Sequence, residues 1–197
     1  MIEPSSAVGS SADVQSSELH RHIAYRLEAL EQEVARLSGR NGLTVCVFSG
    51  DLDRLIAAFS IANGAAACGL RVCMFFTFWG TTLLRRPRVA SRGKRLVERM
   101  LGWLLPAGPH AVRLSRLDLG GLGRRMILAE MRRKGVPDLA ALMEMAKNTG
   151  VEILACGMSM ELMGIRAGEL IDYPGLRVCG AAQFADMAAE GNVTLFV

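Results

Sequence analysis

The sequence predicts an α/β domain with a mostly parallel five-stranded sheet flanked by helices, preceded by an N-terminal amphipathic helix. Two observations support this prediction. Short, continuous apolar runs alternate with segments of helical periodicity, and continuous apolar runs are typical of strands that are buried on both faces of a parallel sheet. The chain has 197 residues, of which 51% are hydrophobic and 21% charged, which is enough for one packed domain plus an appendage.

The N-terminal 40 residues are predicted to form a disordered tail followed by an amphipathic or coiled-coil helix. Residues 1–17 are rich in serine and poor in apolar side chains, so we expect disorder there. A helix is expected from Glu18 to Ser38, with apolar residues spaced alternately by four and three. The residues with this spacing are Ile23, Leu27, Leu30, Val34 and Leu37. Self-association is favoured over packing on the chain's own domain because residues 39–42 form a natural linker between the helix and the domain.

The domain is predicted to span residues 41–197 and to open with a strand-helix-strand unit. Its first strand is Leu43–Gly50, and Asp51 is the expected N-cap of a helix that Gly69 ends. The segment "LRVCMFFTF" is the second strand, parallel to the first.

The second half of the domain continues the alternation. The predicted elements are a helix over Val136–Asn148 opened by Pro137, the strand "VEILAC", a short strand "LRVCGA", a helix over Ala181–Ala189 and the closing strand "VTLFV". A long insert at about residues 77–135 interrupts the pattern, with helices expected at residues 92–105 and 125–134.

Charge is distributed unevenly along the chain. Residues 41–134 carry 16 Lys and Arg against 5 Asp and Glu, whereas residues 135–197 carry 3 against 8. The stretch "RRPRVASRGKR" in the insert is predicted to be an exposed basic surface, and its interpretations, in order of preference, are a solvated face, a membrane or protein docking patch and a nucleic-acid site. It contains Arg85, Arg86, Arg88, Arg92, Lys94 and Arg95. Because no nucleic-acid motif accompanies it, no nucleic-acid partner is expected.

Several function classes have no support in the sequence. Neither of the longest charge-free stretches reaches the roughly 18 apolar residues of a membrane span, and the N-terminus lacks the features of a secretory signal. We therefore expect a cytoplasmic protein, with contact at the inner face of the membrane as an alternative. The five cysteines are odd in number and widely spaced, and the three histidines form no ligand pair, so no disulfide framework, metal or cofactor is expected.

The segment "ACGMSMELMGI" holds the candidate reactive residue, Cys156. The end of a strand followed by a helix start favours the thiolate, which is the reactive form of cysteine. Neighbouring residues are expected to form a soft pocket suited to a sulfur-bearing group, with core filling as the alternative for the methionines: Gly157, Met158, Ser159, Met160 and Met163. Cys46 and Cys73 lie inside predicted strands and are interpreted, like Cys68, as small core hydrophobes. On the residues alone, a buried and inert Cys156 is an equal alternative.

Four segments together resemble the DsrE/DsrF/DsrH-like superfamily, most closely its DsrE-like proteins of the second type. They are "FSGDLDRLIAAFSIANGAAACGLRVCMFFTFWG", "LGGLGRRMILAEMRRKGV", "ACGMSMELMGI" and "VTLFV", and the resemblance covers residues 43–197. It implies flavodoxin-like layering, an oligomer and a role in sulfur trafficking. It also implies that Cys156 carries a persulfide and passes the sulfur to a partner, with Cys179 as a candidate relay thiol that the family does not require.

The function expected from residues and resemblance is a sulfurtransferase-like sulfur carrier. Its expected partners are sulfur donor and acceptor proteins or low-molecular-weight persulfides, and a homo-oligomer is expected. Two alternatives remain open. One is an oligomeric adaptor without catalytic activity that docks through the basic insert, and the other is a thiol peroxidase-like enzyme that would oxidise Cys156 to the sulfenic acid.

Overall fold

The chain divides into two compact units, residues Met1–Arg40 and Asn41–Val197. A computed structural model describes residues 11–39, 41–87, 106–116 and 118–197, without the side chains of residues 11–17 and 35–39. The helix expected at residues 92–105 lies outside this described part.

The first unit contains helix α1, Ser11–Gly39. It starts at Ser11, earlier than the start at Glu18 predicted from the sequence. Extending a helix by one residue costs far less than nucleating it, which lets the serine-rich segment join the amphipathic one. The predicted apolar seam is present, and its described members are about half-exposed: Ile23, Leu27, Leu30 and Val34.

The second unit is built on a five-stranded, fully parallel sheet in the order β4-β3-β2-β1-β5. The strands are β1 (Gly42–Val47), β2 (Arg71–Phe76), β3 (Glu152–Cys156), β4 (Arg177–Cys179) and β5 (Val193–Phe196). Every residue of β1 is buried, as expected for a central strand covered on both faces. The predicted sheet is therefore confirmed.

Two helices cover one face of the sheet, α2 (Leu52–Ala67) and α4 (Leu139–Asn148). Their buried apolar residues join alternate strand residues in the larger core cluster. The Asn63 side chain of α2 donates a hydrogen bond to the Leu142 carbonyl of α4 at 3.0 Å. These contacts fix the two helices against each other and against the strands.

The opposite face carries a smaller cluster, covered by helix α6 (Ala181–Glu190). The Phe184 ring of α6 stacks on Phe75 of β2, with the ring centroids 4.8 Å apart. The remaining helices are α3 (Leu122–Arg133) in the insert and α5 (Gly157–Met163) directly after β3. Short 3₁₀ helices occupy Phe78–Leu84, Leu119–Gly121 and Ala167–Glu169.

Three local predictions need correction. Helix α4 begins at Leu139 instead of residue 136, because the Asp138 carboxylate caps it by accepting from the Ala141 N–H at 2.9 Å. Asp51 precedes α2 as predicted but makes no capping bond, since its carboxylate instead accepts from the Ser49 hydroxyl. Cys68 is exposed, because it lies at the end of α2, beyond the helix's packed face.

Candidate functional site

Cys156 is the last residue of β3, and α5 begins at the next residue, Gly157. The predicted strand-to-helix position of this cysteine is confirmed. Its side chain lies on the α6 face of the sheet, in the smaller core cluster. Only 2% of the residue is exposed to solvent.

A pair of hydroxyl groups adjoins the thiol. The Thr77 Oγ1 and Ser159 Oγ atoms lie 2.9 Å apart, and the Ser159 Oγ also accepts a hydrogen bond from the Phe78 backbone N–H at 2.9 Å. Ser159 is fully buried and Thr77 is half-buried. A hydroxyl has a single proton and either of the two can be the donor, so when one donates to the other, the proton of the second is free to point at the sulfur.

The turn after β2 holds Thr77 and Phe78 in place. The Thr77 N–H donates to the Val47 carbonyl at 2.9 Å. Phe78 has a φ of 44°, in the left-handed region that residues with a β-carbon rarely adopt. Strain of this kind costs about 1–3 kcal/mol and persists only where surrounding contacts impose it. Here it turns the Phe78 N–H toward Ser159.

A close backbone approach imposes this turn. A β-carbon on Gly80 would lie 2.3 Å from the Val47 carbonyl oxygen, and one on Gly50 would lie 2.9 Å from the Trp79 carbonyl oxygen. The two glycines therefore let the 3₁₀ helix Phe78–Leu84 rest directly on the end of β1. This contact sets the position of Thr77 beside α5.

The pKa of Cys156 reflects two opposing effects. Burial raises the pKa of the thiol, but the Ser159 hydroxyl, the backbone N–H groups of Ser159 and Met158, and the Thr77 hydroxyl together hold it below its ordinary value. These donors therefore act by stabilising the thiolate, which favours it as a nucleophile.

The other buried cysteines behave in the opposite way. Burial raises the pKa of Cys46 and Cys179, and the negative charge of a Cys156 thiolate raises both further. Burial raises the pKa of Cys73 to about 12. Cys46 and Cys73 are buried as predicted, at 6% and 7% exposure. Among the four buried cysteines, Cys156 is the one whose environment favours the thiolate.

The methionines expected around the thiol are placed elsewhere. Met160 and Met163 are buried in the larger core cluster, whereas Cys156 belongs to the smaller one. Met158 is 61% exposed. Of the residues predicted to form the pocket, Ser159 adjoins the thiol through its hydroxyl. Gly157 lies against the Val178 side chain, which would be 3.4 Å from a β-carbon added to Gly157.

The first residue of the predicted basic surface does not lie on the surface. Arg85 is buried, and its guanidinium lies 3.9 Å from the Glu169 carboxylate, so the expectation that it is exposed is wrong. Arg86 is exposed, but its guanidinium donates to the Leu170 and Gly168 carbonyls at 2.6 and 3.2 Å. The other predicted members lie outside the described residues: Arg88, Arg92, Lys94 and Arg95.

Sequence reasoning missed the roles of Thr77 and Phe78. The segment "MFFTFWG" is distinctive in sequence, but its pattern assigns no role to its residues. The usable signal was topological, because Thr77 follows β2 and Cys156 ends β3, and neighbouring parallel strands end at the same edge of a sheet.

The same edge of the sheet is rimmed by exposed apolar side chains, which the sequence analysis also missed. Most lie in the last residues of a strand or just after it, Leu162 lies in α5, and each is 41–67% exposed. They are Phe48, Phe78, Trp79, Met158, Leu162, Val178 and Phe196. Apolar surface concentrated in this way is typical of interaction sites.

Neither a metal site nor a membrane span is found in the part of the chain that the structure covers. The described His, Cys, Asp and Glu residues form no group able to hold a metal ion. No described helix has the length and apolarity needed to cross a membrane.

Comparison with known proteins decides the family. The model of the DsrE/DsrF/DrsH-like family matches residues 40–196. The chain belongs to this family. The YrkE protein of Bacillus subtilis, which is uncharacterized, is 42% identical over 157 residues that cover 78% of this chain and 95% of that protein.

A second relative of this DsrE-like chain has a named function. The sulfur carrier protein DsrE2 of Allochromatium vinosum is 29% identical over 161 residues, which cover 79% of this chain and 97% of that protein. The crystal structure of the Escherichia coli ychN protein aligns with a TM-score of 0.47 at 12% identity, over 79% of this chain and 99% of that one.

Proposed function

We propose that this protein holds sulfane sulfur as a persulfide on Cys156 and passes it to a partner. The Cys156 thiolate attacks the outer sulfur of a donor persulfide, and the donor leaves as a thiolate. An acceptor thiolate then attacks the outer sulfur on Cys156, which breaks the sulfur-sulfur bond and restores the Cys156 thiolate. Sulfur moves in both steps without a net change of oxidation state.

The observation that carries this proposal is the difference between Cys156 and the other buried cysteines. The hydroxyls of Ser159 and Thr77 and two backbone N–H groups lower the pKa of Cys156, whereas burial raises the pKa of Cys46, Cys73 and Cys179. Selective loading of one thiol requires such a difference. The sulfur-carrier name of the Allochromatium vinosum relative supports the same assignment.

The burial of Cys156 limits the access of sulfur donors to its thiol. Because the residue is only 2% exposed, a donor reaches the sulfur only when neighbouring side chains move aside. A closed site protects a bound persulfide from stray thiols. The exposed apolar rim around the strand ends supports a protein as donor or acceptor, since docking there would bury Trp79 and Leu162 next to α5.

Sulfur loading tests the proposal directly. The full chain is incubated with inorganic polysulfide, and its intact mass is measured after removal of excess reagent. We expect the gain of one sulfur atom in the wild type and in Cys46→Ser, a matched buried cysteine, and no gain in Cys156→Ser. Equal gain in Cys156→Ser would contradict the proposal, and a gain of oxygen under peroxide without any gain of sulfur would indicate a peroxidase.

The basic segment has a separate proposed role, which is docking on an anionic surface. Its candidate charges beyond Arg86 are Arg88, Arg92, Lys94 and Arg95. Each basic residue near an anionic membrane contributes about 1 kcal/mol. Sedimentation with phosphatidylserine vesicles should therefore decrease with salt and with replacement of these four residues by Gln. Salt-independent sedimentation, or no sedimentation at low salt, would contradict docking on lipid.

A further inference from the structure

Cys156 has a second thiol directly beside it. Cys179, the last residue of β4, is the register partner of Cys156 in the adjacent parallel strand. Both side chains belong to the same core cluster on the α6 face. Neighbouring strands lie about 4.8 Å apart, which falls within the Cα separation of about 4.4–6.8 Å that a disulfide spans.

The two strands also end in the same way. Each cysteine is succeeded by a glycine, which is the first residue of α5 after Cys156 and the N-cap of α6 after Cys179. A β-carbon on Gly157 would lie 3.7 Å from the Cys179 carbonyl oxygen, so the two turns are in close contact.

No other cysteine has this relation to Cys156. All five cysteines are described, and Cys68 is exposed at the end of α2. Cys73 is in register with Glu152, at the other end of β3. Cys46 is in register with Phe75 and so lies two strands away from β3. Cys179 is thus the one thiol next to the proposed persulfide.

We propose that Cys179 is the resolving thiol of Cys156, which empties the carrier as sulfide when no acceptor takes the sulfur. The sulfur of Cys179 attacks the inner sulfur of the Cys156 persulfide, and a Cys156–Cys179 disulfide forms. The bond between Cys156 and its outer sulfur breaks, and the electron pair leaves with the outer sulfur as hydrosulfide. This inference rests on the proposed persulfide at Cys156.

The step is balanced without an external oxidant. The outer sulfur is reduced to sulfide, while the two cysteine sulfurs are oxidised to the disulfide, and the thiol proton of Cys179 is released to solvent. A low-molecular-weight thiol or a dithiol reductase then reduces the disulfide and restores the carrier. The disulfide form holds no free Cys156 and is unable to load sulfur.

Burial explains why Cys179 resolves the persulfide but does not load sulfur itself. It raises the pKa of Cys179, which keeps this thiol protonated and a poor nucleophile toward donors in solution. The attack of Cys179 on the persulfide of Cys156 is intramolecular, because the two residues are in register on adjacent strands. The high effective concentration of Cys179 offsets its small thiolate fraction. The two cysteines therefore differ in role although they lie side by side.

The test measures the fate of the loaded sulfur in the full chain. Protein loaded with polysulfide and freed of reagent is left without acceptor, while released sulfide and intact mass are measured over time. We expect the wild type and Cys46→Ser to release sulfide and to gain a disulfide that peptide mapping assigns to Cys156 and Cys179. Cys179→Ser should keep its persulfide and release sulfide at least about tenfold more slowly. Cys179→Ala serves as a second variant if the serine variant does not fold.

The outcomes separate this inference from the carrier function. Equal retention of sulfur in the wild type and Cys179→Ser, or a disulfide to Cys46, overturns the resolving role and leaves the carrier function standing. A persulfide found on Cys179 makes it a relay and also overturns the resolving role. No loading in any variant overturns the carrier function and, with it, the sulfide release. Oxidised glutathione gives an independent measurement, since the wild type should form the same disulfide without any sulfane sulfur, and failure to form it counts against the pair.

Discussion

Replacing Ser159 with alanine should separate the reactivity of Cys156 from its burial. The change removes a fully buried hydroxyl that accepts from the Phe78 N–H and lies 2.9 Å from the Thr77 hydroxyl. The Cys156 thiolate loses a principal stabilising hydrogen bond, whereas the burial that raises the thiol pKa is unchanged. The pKa of Cys156 should therefore rise.

The size of the effect is set by the strength of the lost bond. A hydrogen bond to a charged group contributes about 1.5–3 kcal/mol, which corresponds to a roughly 10- to 100-fold decrease in the thiolate fraction at neutral pH. The Phe78 N–H also loses its acceptor, which costs about 1–3 kcal/mol and should lower the Tm by roughly 2–10 °C.

The assay measures alkylation of the Cys156 peptide by mass spectrometry between pH 6 and pH 10. In Ser159→Ala, the rate at pH 7 should be roughly 10- to 100-fold lower than in the wild type and should approach the wild-type rate at high pH. Thr82→Ala is the matched control, since its hydroxyl is also buried but donates to the Trp79 carbonyl. Alkylation of Ser159→Ala at the wild-type rate at pH 7 would refute the hydroxyl argument.

Three further predictions concern other parts of the chain. Gly80→Ala should lower the free energy of unfolding by about 1–3 kcal/mol, because its β-carbon would lie 2.3 Å from the Val47 carbonyl oxygen. Gly64→Ala is the control, since this glycine is exposed in a helix and its replacement should not destabilise the fold. Equal urea midpoints for the two variants would contradict this prediction. Deleting residues 1–40 should lower the number of chains per assembly, as calculated from the mass measured by light scattering, since the exposed seam of α1 is proposed to join copies of the chain. An unchanged number of chains would exclude that role. Because the folded state favours the protonated Cys73 thiol, whose pKa rises from 9.0 to about 12, this residue's contribution to stability is complete below pH 9 and is lost as the pH rises toward 12. Urea denaturation between pH 8 and pH 10.5 should therefore show a shallower decrease in Cys73→Val, and a parallel decrease would refute the assignment.

The sequence was sufficient for the elements that have a local signature. Continuous apolar runs located the strands, and the change from strand to helix at Gly157 located Cys156 at a turn. The burial of Cys46 and Cys73 could be inferred from their places inside apolar runs. In each case the deciding interaction lies within a few residues along the chain.

The features that the sequence did not predict depend on partners far away along the chain. Ser159 contacts Thr77, which lies 82 positions earlier, and Arg85 is buried because it lies beside Glu169. Met160 and Met163 are close to Cys156 in the sequence and were therefore expected beside its thiol. In the structure, α5 directs their side chains into the larger core cluster instead. Register, too, is absent from local pattern, so the pairing of Cys156 with Cys179 required the assembled sheet.

Cys156 differs from the other buried cysteines because hydrogen-bond donors offset the effect of burial on its thiolate. Four cysteines share one face of the sheet, and burial disfavours the thiolate of each. Only at Cys156 do hydroxyl and backbone N–H groups exceed that penalty. The strained turn at Phe78 orients the Ser159 hydroxyl, whereas the N–H groups of Met158 and Ser159 come from the start of α5. The proposed selectivity of sulfur loading therefore depends both on the segment after β2 and on the start of α5.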